Sequence, residues 1–170
     1  MIAELDLPVS VGSTEAIRLR RAMPADLDRI IELLADDPVS ATRGDVAAEN
    51  DRPAYEAAFA AVQGDAANEI IVATDRTGRI VGTLQLTRIP GMTRRGSTTL
   101  LVESVRVSSS TRSTGIGTTM MGWVLRGAAP SVGAGVVQLT SDAQRADAHR
   151  FYERLGFVGS HIGFKYRVAD

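Results

Sequence analysis

The chain has 170 residues, of which 44% are hydrophobic and 23% charged, and its formal net charge is −1. This suits one folded domain of about 100–200 residues, which needs neither disulfides nor metal to bury most of its apolar surface. The absence of cysteine removes disulfides, thiolate nucleophiles and Cys-ligated zinc, the near-neutral charge leaves no footprint for a nucleic acid, and no apolar run approaches the ~18 residues of a membrane span.

The opening residues, MIAELDLPVS, carry acids where a secretory signal carries positive charge, so a cytoplasmic protein is expected. Residues 1–13 show no period and read as a tail ahead of one domain over residues 14–170. Residues 16–23, AIRLRRAM, alternate apolar and charged side chains as a half-buried strand does. Pro24 suits a first helical turn. Leu27, Ile30, Ile31 and Leu34 then repeat at helical period, which predicts a helix over residues 24–35. A polar loop, residues 36–45, leads to a second helix over residues 52–62, with Tyr55, Ala58, Phe59 and Val62 on one face and Gly64 as its cap. Residues 69–75 and 79–89 read as strands joined by a turn at residues 75–78. Breakers fill residues 90–97, and residues 98–107, TTLLVESVRV, form a long fourth strand. A helix over residues 116–128 ends near Pro130 and carries Trp123 in its apolar stripe. Residues 136–142 form a fifth strand. Residues 146–157 form a short amphipathic helix stopped by Gly156. Residues 162–168, IGFKYRV, alternate and close the chain as a strand.

This order, β α α β β β α β α β, predicts an α/β (α+β) fold with one mixed sheet and helices on its faces. A ligand is expected beyond the carboxyl end of the fourth strand. The string there is Arg112-Ser113-Thr114-Gly115-Ile116-Gly117, between a strand and a helix start. First-turn amides have no partner within a helix, and the helix dipole adds positive potential, so such a turn attracts anions. Gly115 and Gly117 let a phosphate approach the backbone, and Arg112 can add a charged contact. The string is not a Walker loop, and Gly115-Ile116-Gly117-Thr118-Thr119-Met120 fails the last position of a dinucleotide fingerprint. A glycine-softened helix start without ligand is the plain alternative.

The pattern Arg-x-x-Gly-x-Gly after Val105-Arg106-Val107 resembles the pyrophosphate-binding signature of the GNAT N-acetyltransferase family. The string Ala148-His149-Arg150-Phe151-Tyr152-Glu153-Arg154-Leu155-Gly156-Phe157 is similar to that family's later helix. The two motifs cover about residues 101–157, and element order extends the likeness over most of the chain. The resemblance implies a mostly antiparallel sheet of six to seven strands, splayed between the fourth and fifth. It implies acetyl-CoA as cosubstrate, no metal, and a primary amine, of a small molecule, as acceptor. Val105, Arg106 and Val107 are implied at the pantetheine arm. Arg112, Ser113, Thr114, Gly115, Ile116, Gly117 and Thr118 are implied at the pyrophosphate, and Asp147 and Phe151 near the thioester. Ser113 stands where many members have glycine, Ser109 where proline is common, and Asp147 where Asn is frequent.

By the same resemblance Tyr152 is the candidate acid for the leaving thiolate; its alternative is a core aromatic with a structural hydroxyl bond. Glu103 is the candidate base or amine-binding carboxylate, an acid among Leu101, Val102 and Val105; its alternative is an ion pair with Arg106 or an arginine of residues 90–97. A water relay can replace it as base. Backbone N–H groups on the splayed strand would stabilise developing negative charge. His149 and His161 read as structural or exposed. Asp36, Asp37 and Asp45 either face a cationic acceptor or are solvated turn residues. Beside the enzyme stand two other readings: an acyl-CoA-binding sensor without catalysis, and a protein or peptide acetyltransferase. The last strand can also pair or swap between protomers of a homodimer.

Overall fold

A computed structural model describes residues 2–12, 17–37 and 47–168, and Asp45 therefore lies outside the described residues. The chain forms two compact units, Met1–Gln138 and Leu139–Asp170.

A mixed six-stranded sheet organises the first unit, in the order β1-β2-β3-β4-β5-β6. The strands are β1 (Val9–Val11), β2 (Ile17–Arg21), β3 (Asn68–Thr74), β4 (Ile80–Ile89), β5 (Thr98–Val107) and β6 (Ala134–Leu139). Each of the first four pairs antiparallel with the next. β1 corrects the reading of residues 1–13 as a tail. Val9, Ser10 and Val11 lie opposite Leu19, Arg18 and Ile17, and Ile2 and Leu5 are buried. Three residues are too few to show an alternation, which is why this edge strand has no period of its own.

Alternate strand residues face opposite sides of a sheet, so the register sorts the two faces. One face takes Val72 and Ile70, which pack with α1 (Leu27–Ala35) and α2 (Arg52–Gly64) through Leu27, Ile30, Ile31, Leu33 and Phe59. The other takes Ile71, Ala73, Leu84, Leu86, Leu100 and Val102, all buried, and receives α3 (Ile116–Trp123). Gly82 makes that close packing possible. A Cβ built there would lie 2.8 Å from the Met120 sulfur and 2.9 Å from the Arg106 carbonyl oxygen. α3 continues through a π turn, Val124–Ala128, into Ala129–Ser131, so the helical run passes Pro130 and stops just beyond it. Trp123 is half-buried and lies against Gly127.

The entry to α1 is fixed by one buried carboxylate. Asp26 accepts the Met23 backbone N–H at 2.7 Å and the Arg20 guanidinium at 2.6 and 2.9 Å. A forked pair of this kind is geometrically specific. The Arg20 hydrogen bonds, more than the Met23 amide, hold the Asp26 carboxyl below the usual carboxylate range.

The second unit holds α4 (Ala146–Arg154), and Gly156 ends its run at φ 92°. Tyr152 sits between two edge-on aromatics, Phe151 at 5.1 Å and Phe157 at 5.8 Å. The expected closing strand is absent. Residues 157–168 have no regular structure, and Ile162, Phe164, Tyr166 and Val168 are exposed. Alternation specifies which side of a strand is apolar but supplies no partner edge, and Gly159 and Gly163 weaken extended pairing here.

Two outcomes follow from this packing. Gly82→Ala should lower unfolding free energy by about 1–3 kcal/mol in chemical denaturation, because Met120 can turn aside but the Arg106 backbone cannot without moving β5. Asp26 has a depressed folded pKa, so its contribution is full above the unfolded value near 4 and fades as pH falls through the folded value. Asp26→Asn should therefore cost about 1–3 kcal/mol at neutral pH and flatten the acid limb of the stability curve.

Candidate active site

The loop after β5 is built to present backbone N–H groups. A single 3₁₀ turn, Ser109–Thr111, follows the strand, and Ser108 anchors it by donating its N–H to the Val81 carbonyl at 2.8 Å. Ser113 takes φ 65° and Gly115 takes φ 88°, and α3 begins at Ile116. The first bond to the Gly115 carbonyl comes from Thr119, so the amides just ahead of it are those that a first helical turn leaves unpaired. Ser113, Thr114 and Gly115 are exposed, and nothing lies within 4 Å of a Cβ built on Gly115. Ile116 alone of this stretch is buried, which pins the helix start to the sheet. Thr114 Oγ1 donates to the Thr111 carbonyl at 2.7 Å, while Gly117 is half-buried and Thr118 exposed. These features fit a phosphate: open space, a positive helix end and adjacent donors.

Arg112 has a different task from the one its charge suggests. Its guanidinium donates to the Asp36 carbonyl at 2.8 Å and to the Val107 carbonyl at 3.4 Å. Asp36 caps the C-terminus of α1 and accepts the Ser109 N–H at 2.6 Å. This bond is the main cause holding the Asp36 carboxyl below the usual carboxylate range. Arg112 and Asp36 thus latch the loop to the end of α1, where a cation also meets the favourable pole of the helix. Sequence reasoning missed this latch, because nothing in the spacing of residues 36 and 112 announces it. Behind the latch lies an open cleft of about 430 Å³ whose charges are balanced, Arg29 and Arg79 against Glu32 and Asp36.

The second feature is a break in the β4–β5 ladder. Gln85 lies opposite Glu103, but Thr83 lies opposite Arg106, so Leu84 faces two residues, Ser104 and Val105. Ser104 takes φ 50°, the mark of a bulge. The extra residue changes the faces. Glu103 shares a side with Leu101, as alternation indicates, but the bulge puts Arg106 there in place of Val105. Val105 and Val107, both half-buried, fall on the α3 side. The sequence signal was slight: one serine inside an apolar strand.

Glu103 is exposed and makes no ion pair with any described residue, so the arginine pairing weighed for it is not observed. Arg106 donates Nη1 to the Val105 carbonyl at 3.0 Å. In the second unit, Asp147 is exposed and paired with Arg150, and Phe151 and Tyr152 are half-buried. His149 Nε2 bonds the Asp142 carbonyl at 2.8 Å, so that nitrogen donates and anchors the helix. His161 is exposed and bonded to Ser160. Among the described residues no group of three His, Cys, Asp or Glu side chains is placed to hold a metal ion, and no helix is long and apolar enough to cross a membrane.

Ser113 and Gly115 give opposed tests of the loop. A left-handed conformation costs a non-glycine residue about 1–2 kcal/mol. Gly115→Ala should therefore destabilise the fold by about that much through strain alone, since its Cβ meets nothing. Ser113→Gly should be neutral or stabilising by up to about 1 kcal/mol. Thermal unfolding of both variants checks the pair of signs.

Residues 27–157 match the Acetyltransferase (GNAT) family. No curated protein matches the chain. A transcriptional regulator from Bacillus halodurans C-125 is 38% identical and superposes with a TM-score of 0.83, over 89% of this chain and 99% of the other. An acetyltransferase from Trypanosoma brucei is 27% identical, with a TM-score of 0.69 over 89% and 99%. Glucosamine-6-phosphate N-acetyltransferase from Arabidopsis thaliana, 19% identical with a TM-score of 0.71 over 90% and 99%, shares the fold. With its Arg-x-x-Gly-x-Gly loop at a helix start and a family match across most of its length, this chain belongs to the GNAT acetyltransferase family.

Proposed function

We propose that the protein transfers an acetyl group from acetyl-CoA directly to a primary amine of a small molecule. The observation that carries this reading is the loop of residues 112–118, with exposed left-handed turns and first-turn amides in a chain of the GNAT family. Acetyl-CoA supplies an activated thioester. The chain's own residues do four things. The backbone from Ser113 to Thr118 holds the pyrophosphate, while Arg112 and Asp36 keep the loop in shape. Val105, Arg106 and Val107 offer an extended edge to the pantetheine arm, with Asp147 and Phe151 toward its reactive end. The bulge at Ser104 interrupts the β4–β5 ladder, which turns backbone N–H groups toward the position where negative charge develops. Glu103, directly or through water, takes the proton that the attacking amine gives up, and Tyr152 gives a proton to the sulfur as the carbon–sulfur bond breaks.

No covalent enzyme intermediate is needed, in keeping with a chain that has no cysteine. A second reading is favoured by the 38% identity to a transcriptional regulator: an acyl-CoA-binding module that regulates and does no chemistry. An acceptor that is a protein or peptide amine is a variant of the first reading. The protein is expected to work in the cytoplasm.

Calorimetric titration of acetyl-CoA, followed by assay of CoA release with a panel of amines, separates the readings. Near-stoichiometric binding, lost in Gly115→Trp, together with amine-dependent CoA release supports the enzyme. Binding without release for any amine supports the regulator. Tyr152→Phe should lower kcat by about 10²–10⁴-fold with little change in acetyl-CoA affinity, and unchanged turnover would remove Tyr152 from the chemistry.

A further inference from the structure

The face of the sheet that carries Glu103 also carries a chain of hydrogen bonds with a fixed direction. It starts at Asp65, just after α2. Asp65 Oδ1 accepts the Ala67 N–H at 2.8 Å, and Oδ2 accepts the Asn68 amide at 2.8 Å. A carboxylate only accepts, so the nitrogen of the Asn68 amide must face Asp65 and its oxygen must face the sheet. That oxygen accepts from two neighbours on β4, Gln85 Nε2 at 3.2 Å and Thr87 Oγ1 at 2.5 Å. The one hydroxyl donor of Thr87 and one of the two Gln85 amide N–H groups are thereby committed toward Asn68. What they leave is the Gln85 carbonyl oxygen, the lone pairs of Thr87 and a single Gln85 N–H.

The register completes the surface. Ile70, Gln85 and Glu103 lie in one row across β3, β4 and β5, and Asn68, Thr87 and Leu101 lie in the next. Opposite side chains in such rows stand about 4.5–5.5 Å apart at Cβ. Glu103 is exposed and without an ion pair among the described residues, and Gln85 and Thr87 are half-exposed. The cation on the same face, Arg106, stands beyond the bulge opposite Thr83 and donates to the Val105 carbonyl. The row therefore offers one negative charge beside two neutral acceptor oxygens, that of the Gln85 amide and that of Thr87.

We propose that Glu103, Gln85 and Thr87 bind the acceptor as a cation with a second hydrogen-bond donor, an alkyl diamine or an amine with a nearby hydroxyl, and that Asp65 and Asn68 are positioning residues that set this polarity. The inference rests on the acetyltransferase reading, since it names the substrate class of that site. A monoamine satisfies Glu103 alone. A second ammonium or hydroxyl group a few bonds away also satisfies the Gln85 carbonyl oxygen and the Thr87 hydroxyl, whose single donor is spent on Asn68.

The test uses the 170-residue protein, with 1,3-diaminopropane and propylamine as probes. Equilibrium binding of each is measured on the protein saturated with CoA, which carries no acetyl group to transfer, and CoA release is measured separately with acetyl-CoA. The diamine should bind at least about tenfold more tightly than the monoamine, one acceptor hydrogen bond to a charged donor being enough for that factor. Gln85→Met should collapse the preference by raising the diamine Kd and KM, with the propylamine Kd and the acetyl-CoA Kd unchanged. Gln85→Glu, which keeps an acceptor there and adds charge, should raise diamine affinity. Asp65→Ala should weaken the preference in the same split, which a general loss of stability would not produce. Equal binding of the two probes, or a preference that survives Gln85→Met, overturns the proposal. Preference without CoA release would leave the recognition standing and overturn the acetyltransferase reading instead.

Discussion

The arrangement depends on one extra residue in β5. An antiparallel ladder that ran unbroken from Ile89 to Gly82 would keep Glu103 and Val105 on one side and spend the neighbouring backbone groups on pairing. Placing two residues opposite Leu84 changes both. It keeps the charged pair, Glu103 and Arg106, on the side of α1 and α2, and sends Val105 and Val107 toward α3. It also re-aims the strand just before it delivers the chain to the anion loop. The left-handed backbone at Ser104 is sustained by the ladder on either side, Val102 with Leu86 before it and Val107 with Gly82 after it.

The loop itself is held in shape by modest residues. Its charge lies in a cross-brace: Arg112 to two carbonyls, Asp36 to one amide. On the proposed reading, anion affinity there resides in the backbone, which cannot be lost by a side-chain substitution that respects the turn. This explains how Ser113 can occupy a left-handed position that glycine fills more easily. The brace and the buried Ile116 hold the conformation, and the serine tolerates the strain.

The sequence disclosed the long elements because each has a period. The strands at 80–89 and 98–107 and the helices at 27–35 and 52–64 were legible from alternation or from apolar spacing alone. The loop at 112–117 stands out because glycine and arginine at those offsets resemble a family signature, and the helix start expected there is at Ile116. What could not be read was set by contacts between distant residues. The three-residue β1 needs β2 beside it to be a strand. The Asp36–Ser109 bond joins two stretches that carry no mutual signal. The bulge at Ser104 depends on where β4 places Leu84. At 162–168 the pattern for a strand is present and the pairing is not, because alternation describes a face and leaves the neighbour unspecified.

The exposed stretch that ends the described chain also contains Lys165, the only lysine among 19 basic residues. For a protein proposed to handle an acyl thioester this has an experimental consequence. Spontaneous or self-directed acylation of a lysine amine has a single address, outside the residues assigned to the reaction. A mass spectrum of the intact protein after incubation with acetyl-CoA therefore reports side-chain amine acylation at one position. An amine-reactive dye finds one side-chain amine, Lys165, besides the chain's α-amino group, which leaves residues 112–118 and the Glu103 face unlabelled. Arginine elsewhere in the chain makes the protein nearly invisible to the chemistry it is proposed to perform.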